Sequence, residues 1–438
     1  MLLIYSHKIN NRLRYVCNLL FRTILGCEYR LTDKQTEFSS YTGPKINYSL
    51  HKFSDELFFQ SGTLLFEPGV HDQTISIFSF KGEKVFFASG KNSAFPFDPF
   101  AASFFLAVRY EEYLPHIRDQ YDRFEPKESI AFKNDFLQKP VINIWAGWIK
   151  ELLLSRFPEM KFTESKYEFI STIDIDSAYA YREKGFMRSL GGYSRAITRM
   201  KFNEISERTR VLLGLKKDPY DTYDFQLESL KKHKTKAIYF FLLGDYGVND
   251  KNLPVESPRF RDLIKMMGDY VQVGIHPSFG SNYTPGQLKK EISDLSKILH
   301  REITKSRQHF LKLSLPETYR NLIEVDITDD YTMGYASQPG FRAGICTPYN
   351  FYDLDNELET RLKIHPFLLS ESNLCDIYKK SPDAAFDKMR ELIKEVKKVK
   401  GVFISLWRNE AFSDKLGGWR GAREVYERLL QEAQSTNN

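Results

Sequence analysis

Glu168-Phe169-Ile170-Ser171-Thr172-Ile173-Asp174-Ile175-Asp176-Ser177 is an apolar strand pattern that runs into two carboxylates separated by one residue. Side chains alternate along a strand, so Asp174 and Asp176 are expected on the same side, where two like charges are costly unless they share a cation. The position is as informative as the residues, because parallel α/β sheets and barrels build their sites at the ends of strands. Downstream, short apolar runs alternate with helical patterns. Strands are expected at Glu168 to Ile175, Ala237 to Leu243, Tyr270 to Ile275, Leu362 to Phe367 and Val402 to Trp407, and helices at Tyr223 to Lys232, Arg259 to Met267, Pro285 to Phe310 and Pro382 to Val399. This alternation predicts βα units with a parallel sheet. The stretch from Arg182 to Pro219 is long for one connection and rich in Arg and Lys. It reads as a mostly helical insertion whose charge forms a solvated face.

Upstream the pattern is mixed. Ile46 to Leu50, Thr74 to Phe80 and Lys84 to Ala88 read as strands, and Leu13 to Leu25, Phe100 to Tyr113 and Val141 to Leu154 as helices. The cluster Phe95, Phe97, Phe100, Phe104 and Phe105 reads as core, with a sugar-stacking surface as the alternative. A chain of 438 residues exceeds the size at which one core usually stops growing, so two domains are expected: a mixed α/β supporting domain over 1–160 and a (β/α) domain over 161–438. With 63 basic and 57 acidic residues the net charge of +6 is small for this length and does not suggest nucleic acid. Cys17, Cys27, Cys346 and Cys375 form no CxxC pair and read as reduced, buried thiols. The N-terminus lacks the charge order of a secretory signal and no uncharged apolar run approaches a membrane span, which leads to an expectation of a cytoplasmic protein with no integral membrane segment.

Three further strand-end segments carry polar groups. Gly274-Ile275-His276-Pro277-Ser278 places a histidine after an apolar strand, a candidate neutral imidazole ligand beside the carboxylates. Gly340-Phe341-Arg342-Ala343-Gly344 sets an arginine between glycines, from where it would grip a carboxylate with two hydrogen bonds. Leu406-Trp407-Arg408-Asn409-Glu410 ends a strand in polar residues.

Taken in order, these segments resemble the polysaccharide deacetylase family, carbohydrate esterase family four, over roughly Tyr167 to Leu430, in an atypical branch with an additional N-terminal domain. The resemblance implies a distorted (β/α) barrel and a metal-dependent hydrolase that removes acetyl groups from a carbohydrate, its partner an acetylated glycan or polysaccharide. It implies Asp174 as general base, Asp176 and His276 as ligands of a divalent metal, zinc by family habit, and Arg342 as the arginine that orients the base. Phe341 and Trp407 would face the substrate. Two positions depart from the family pattern. Gly280 stands four residues after His276, where a second histidine ligand is expected, and Arg408 stands where the last motif carries a histidine acid. His365, in Ile364-His365-Pro366-Phe367, is the candidate replacement, with Arg408 as an added hold on the oxyanion. Other classes predict different outcomes: a degenerate relative that binds glycan without hydrolysis, a haloacid-dehalogenase-type phosphatase using Asp174-x-Asp176 with Asp329-Asp330, or a glycosyltransferase using Asp-x-Asp with a sugar nucleotide.

Overall fold

A computed structural model describes residues 1–284, 286–413 and 418–435. The first unit is a four-stranded parallel sheet of β1 (Leu2–Tyr5), β2 (Tyr29–Thr32), β3 (Lys45–Ser49) and β4 (Leu57–Gln60), in the order β2-β1-β3-β4. The helix expected from Leu13 to Leu25 is present as an α-helix at Asn11–Cys17 that continues in wider π-helical winding over Asn18–Ile24. Asp98 caps the wholly buried helix Pro99–Ala107 by accepting from the Phe100 and Ala101 amides, and it also accepts from the Tyr48 hydroxyl. All five phenylalanines of the aromatic cluster are buried here, as the core reading anticipated. Of the strand expected over Thr74 to Phe80 only its end forms, as β5 (Phe78–Phe80), which pairs with β6 (Glu83–Val85) in a hairpin.

The second unit contains β7 (Glu168–Ile175), β8 (Lys236–Phe241), β9 (Gln272–Ile275), β10 (Lys305–Ser306), β11 (Asp329–Asp330), β12 (Tyr349–Asp353), β13 (Leu358–Ile364), β14 (Leu369–Ser370) and β15 (Val402–Arg408). Their order is β12-β13-β11-β10-β9-β8-β7-β15-β14, with β12 antiparallel and the other strands parallel. This order requires a closed shape. β13 and β14 stand seven places apart, about 34 Å in a flat sheet at ~4.8 Å per strand. Ile364 and Leu369, however, are joined by five residue steps, which reach at most about 18 Å. The sheet therefore wraps into a barrel with its seam between β13 and β14. Its interior holds Ile238 and Phe240 of β8, Ile404 and Leu406 of β15, and Tyr331 and Phe367 from beyond β11 and β13, in one buried cluster.

The helix Tyr223–Lys232 has the expected ends. The helix expected from Pro285 to Phe310 is instead Gln287–Leu299, which stops at His300 in the left-handed region (φ 52°), and β10 follows. That difference decides the site. The insertion after β7 is helical as expected, over Gly185–Thr198 and Phe202–Leu212. One buried apolar cluster extends from Leu2 to Ala433, so the two sheets pack against a shared core. Among the described residues no helix is long and apolar enough to cross a membrane.

Candidate metal centre

On β7 the alternation works as the sequence suggested: Thr172, Asp174 and Asp176 share the parity of Ile170, which packs against the interior cluster. Both carboxylates line a cavity of about 260 Å³ at the end of the barrel, together with His276, His309, Gln308 and Arg408. His276 Nε2 lies 3.2 Å from Asp176 Oδ1 and 3.9 Å from Asp174 Oδ2, and His309 Nε2 lies 3.8 Å from Asp176 Oδ1. The ligand atoms of Asp176, His276 and His309 all fall within 4.8 Å of one another.

This trio fits a cation. Donor atoms about 2.0–2.1 Å from a tetrahedral ion lie about 3.3 Å apart, close to the shortest of these separations. Asp176 Oδ1 is buried, and despite the nearby imidazole it accepts no well-aimed hydrogen bond. The tautomers also agree. His276 Nδ1 is 2.5 Å from the Arg307 carbonyl oxygen, which can only accept, so Nδ1 holds a proton and Nε2 is the atom turned toward the trio, its lone pair free for a cation when the ring is neutral. His309 Nδ1 donates to Asp250 Oδ1 at 2.8 Å, which likewise frees Nε2. Asp250 in turn accepts from the Phe279 and Gly280 amides at 2.8 and 3.0 Å. A carboxylate behind a ligand histidine is a common device for fixing its orientation. Gly280 thus takes part through its backbone, and the histidine absent there is supplied by His309 beyond β10.

Charge is concentrated here. Burial works against the His276 imidazolium, but Asp174 and Asp176 outweigh it and raise its pKa above the ordinary value. Burial likewise opposes the Asp176 carboxylate, yet His309, His276 and Arg408 hold it well below the usual range. Burial and the Asp176 charge push Glu410 up to about 7.

The arginine at Asp174 is Arg307, not Arg342. Arg307 is fully buried, and its Nη1 donates to Asp174 Oδ1 at 3.1 Å and to Thr172 Oγ1 at 2.6 Å, while Nε donates to the Tyr331 carbonyl. Arg342 donates instead to both oxygens of Glu112 at 2.9 and 2.6 Å and to the Gly334 carbonyl at 3.1 Å. A buried guanidinium pairs with the carboxylate brought to it, and for Arg342 that group arrives from the N-terminal unit. Arg307 and His309 were missed because the helical reading was carried through to Phe310. The signal that could have found them is Lys305-Ser306-Arg307-Gln308-His309, a short strand followed by polar groups after Ile303, the same layout as around Asp174 and His276.

Three other expectations are corrected. His365 Nε2 pairs with Asp329 Oδ1 at 2.7 Å and its ring stacks on Tyr331, so it does not line the cavity. Trp407 is fully buried on the outward parity of β15, stacked on Phe412 against the helix Ala422–Gln434, because Leu406 and Arg408 take the inward positions. Phe341 is fully buried in the shared core, its amide bonded to the Leu137 carbonyl. Arg408 does line the cavity, with its guanidinium paired to Glu371. Asp329 and Asp330 lie outside the cavity lining, so the acidic pair required by the phosphatase alternative is not assembled.

Residues 2–158 match a family model described as a family of unknown function, DUF7033. A search of curated proteins finds no match. Among solved structures the chain is similar to a Mycobacterium smegmatis protein assigned as a polysaccharide deacetylase, at 12% identity and TM-score 0.39 over 63% of this chain and 86% of that one. It is also similar to the polysaccharide deacetylase Bc1974 from Bacillus cereus, at 14% identity and TM-score 0.30 over 61% and 86% of the two chains. A third is BA3943 from Bacillus anthracis, described as a CE4 family pseudoenzyme, at 12% identity and TM-score 0.28 over 61% and 60%. These similarities cover 61–63% of the chain, and the DUF7033 match covers the N-terminal unit.

Proposed function

We propose that this chain is a metal-dependent hydrolase that removes acetyl groups from a carbohydrate, with zinc as the ion. The observation that carries this reading is the trio Asp176, His276 and His309 facing one cavity beside a separate carboxylate, Asp174, that is not needed as a ligand. Imidazole and carboxylate donors suit zinc, and a divalent ion bound there would polarise an acyl oxygen and acidify water. Asp174 is the general base: Arg307, itself anchored on the Thr172 hydroxyl, holds the carboxylate through Oδ1, which leaves Oδ2 toward the trio. Arg408, a permanent cation, donates toward an oxygen that gains charge during acyl transfer.

The test is metal analysis of the purified protein alongside acetate release from acetylated chito-oligosaccharides and O-acetylated glycans. About one equivalent of ion is expected, with turnover that falls at least about a hundredfold in Asp174→Asn while the ion is retained. Protein that takes up no ion even from excess zinc would overturn the reading. The second reading is a glycan-binding protein without hydrolysis. It is favoured by Arg408, which cannot cycle a proton, at the position where an acid is expected. Glycan binding with full metal loading and no acetate release would select it.

A further inference from the structure

The helical insertion after β7 is more basic, and richer in exposed apolar side chains, than the rest of the molecule. Residues 182–217 hold ten Lys or Arg against only Glu183, Glu204 and Glu207, a formal +7, whereas the entire chain carries +6, which leaves −1 for everything outside the insertion. The same segment holds eight of the eighteen exposed large apolar side chains among the described residues. Its tip reads Ile197-Thr198-Arg199-Met200-Lys201-Phe202, where Ile197, Met200 and Phe202 are 59, 75 and 64% exposed around the two exposed cations Arg199 and Lys201. Near the base, Met187, Leu213 and Leu215 are 77, 69 and 74% exposed.

The hairpin is nevertheless a built module. Arg208 lies 4.6 Å over the Tyr181 ring, the Tyr193 and Thr209 hydroxyls are 2.9 Å apart across the two helices, and Ala196 and Val211 are buried. The Asp218 carboxylate accepts from the Ala180, Tyr181 and Arg182 amides and pins the base. The helices therefore spend their inner faces on each other and on the barrel and turn the remaining apolar side chains outward. The loop after β8 adds Tyr246 and Val248, 55 and 88% exposed, with Arg188 3.6 Å over the Tyr246 ring. Both segments leave the barrel at the end that carries Asp176.

We propose that this hairpin docks the protein on an anionic lipid bilayer, with Met200 and Phe202 entering the headgroup boundary and Arg199, Lys201 and their neighbours facing lipid phosphate. Exposed apolar side chains interleaved with cations match a negatively charged interface, which takes up both kinds of group at once. A second copy of the hairpin would set +7 against +7 and is disfavoured. A bare polyanion would use the cations and leave the apolar tip in water. The inference is independent of the hydrolase reading, and it directs the metal-centre end of the barrel toward the membrane surface.

Vesicle co-sedimentation of the full chain tests it, with phosphatidylcholine vesicles compared against vesicles containing phosphatidylglycerol. Binding is expected to the anionic vesicles only, to weaken when salt rises from about 0.05 to about 0.5 M, and to fall at least about tenfold in the double variant M200D/F202D. Leu50→Asp, exposed on the other unit, is expected to bind as the parent does. An unchanged melting temperature of the double variant shows that loss of binding is not loss of fold. No binding to either vesicle overturns the proposal. So does equal binding to both, or binding that the tip variant leaves intact while heparin competes it away, which would assign the surface to a soluble polyanion.

Discussion

Asp174 and Asp176 are separated by one residue and have different partners, and that difference underlies the two roles proposed for them. Asp174 is held by Arg307 from 133 residues downstream, whereas Asp176 Oδ1 is left to the two imidazoles. Asp250→Ala is therefore expected to weaken metal binding about 10- to 100-fold in chelator competition, because it removes the acceptor that fixes the His309 tautomer. Arg307→Met should cut acetate release while the ion stays bound. Arg342→Met should instead destabilise the fold by about 3–5 kcal/mol, read by denaturant unfolding, because it leaves Glu112 buried with half of its cationic partners. At this scale the sequence showed the carboxylate pair and His276, since each sits at the end of a recognisable strand. It did not show Asp250, Arg307 or His309, whose significance lies in which distant group they touch.

Among the elements, β9 and β10 matter most for the site. β10 pairs β9 only at Ser306 with Ile275, and the next residues in line are Arg307 and His276, which share the hydrogen bond that sets the His276 tautomer. Gly274 allows this close approach: a Cβ there would sit 2.7 Å from the Lys305 carbonyl oxygen and 2.7 Å from the Phe240 ring. Gly274→Ala is expected to cost about 1–3 kcal/mol and also to weaken metal binding, because relief of the clash moves β10 and His309 with it. A destabilised variant with unchanged metal affinity would contradict that link. Long strands and helices with clear periodicity, such as β7 and Tyr223–Lys232, were readable from the sequence. A two-residue strand such as β10 has no periodicity to read, and the apolar positions before it merged with the preceding helix.

For the whole molecule, the joint between the two units is itself an ionic structure. Glu112 accepts from Arg109 and Arg342, and Arg12 of the N-terminal unit pairs with Glu357 of the barrel. Burial opposes the Glu112 charge, but Arg342 and Arg109 outweigh it and hold its carboxyl at about 2 against an ordinary 4.5. A depressed carboxyl contributes stability above its unfolded pKa and loses it as pH falls toward the folded one. Stability should thus be complete above pH 4.5 and decline by about 3 kcal/mol toward pH 2 from this group, a slope absent in Glu112→Gln. Urea unfolding at a series of pH values measures it. The sequence by itself determined the βα alternation, the division into an N-terminal region and a barrel, and the two carboxylates on one side of a strand, because each follows from local periodicity. Only the tertiary structure decided which histidine joins Asp176 and His276 and which arginine holds Asp174. Those choices depend on side chains that a closed barrel brings together from strands far apart in the chain, and on a carboxylate from the other unit that claims Arg342 first.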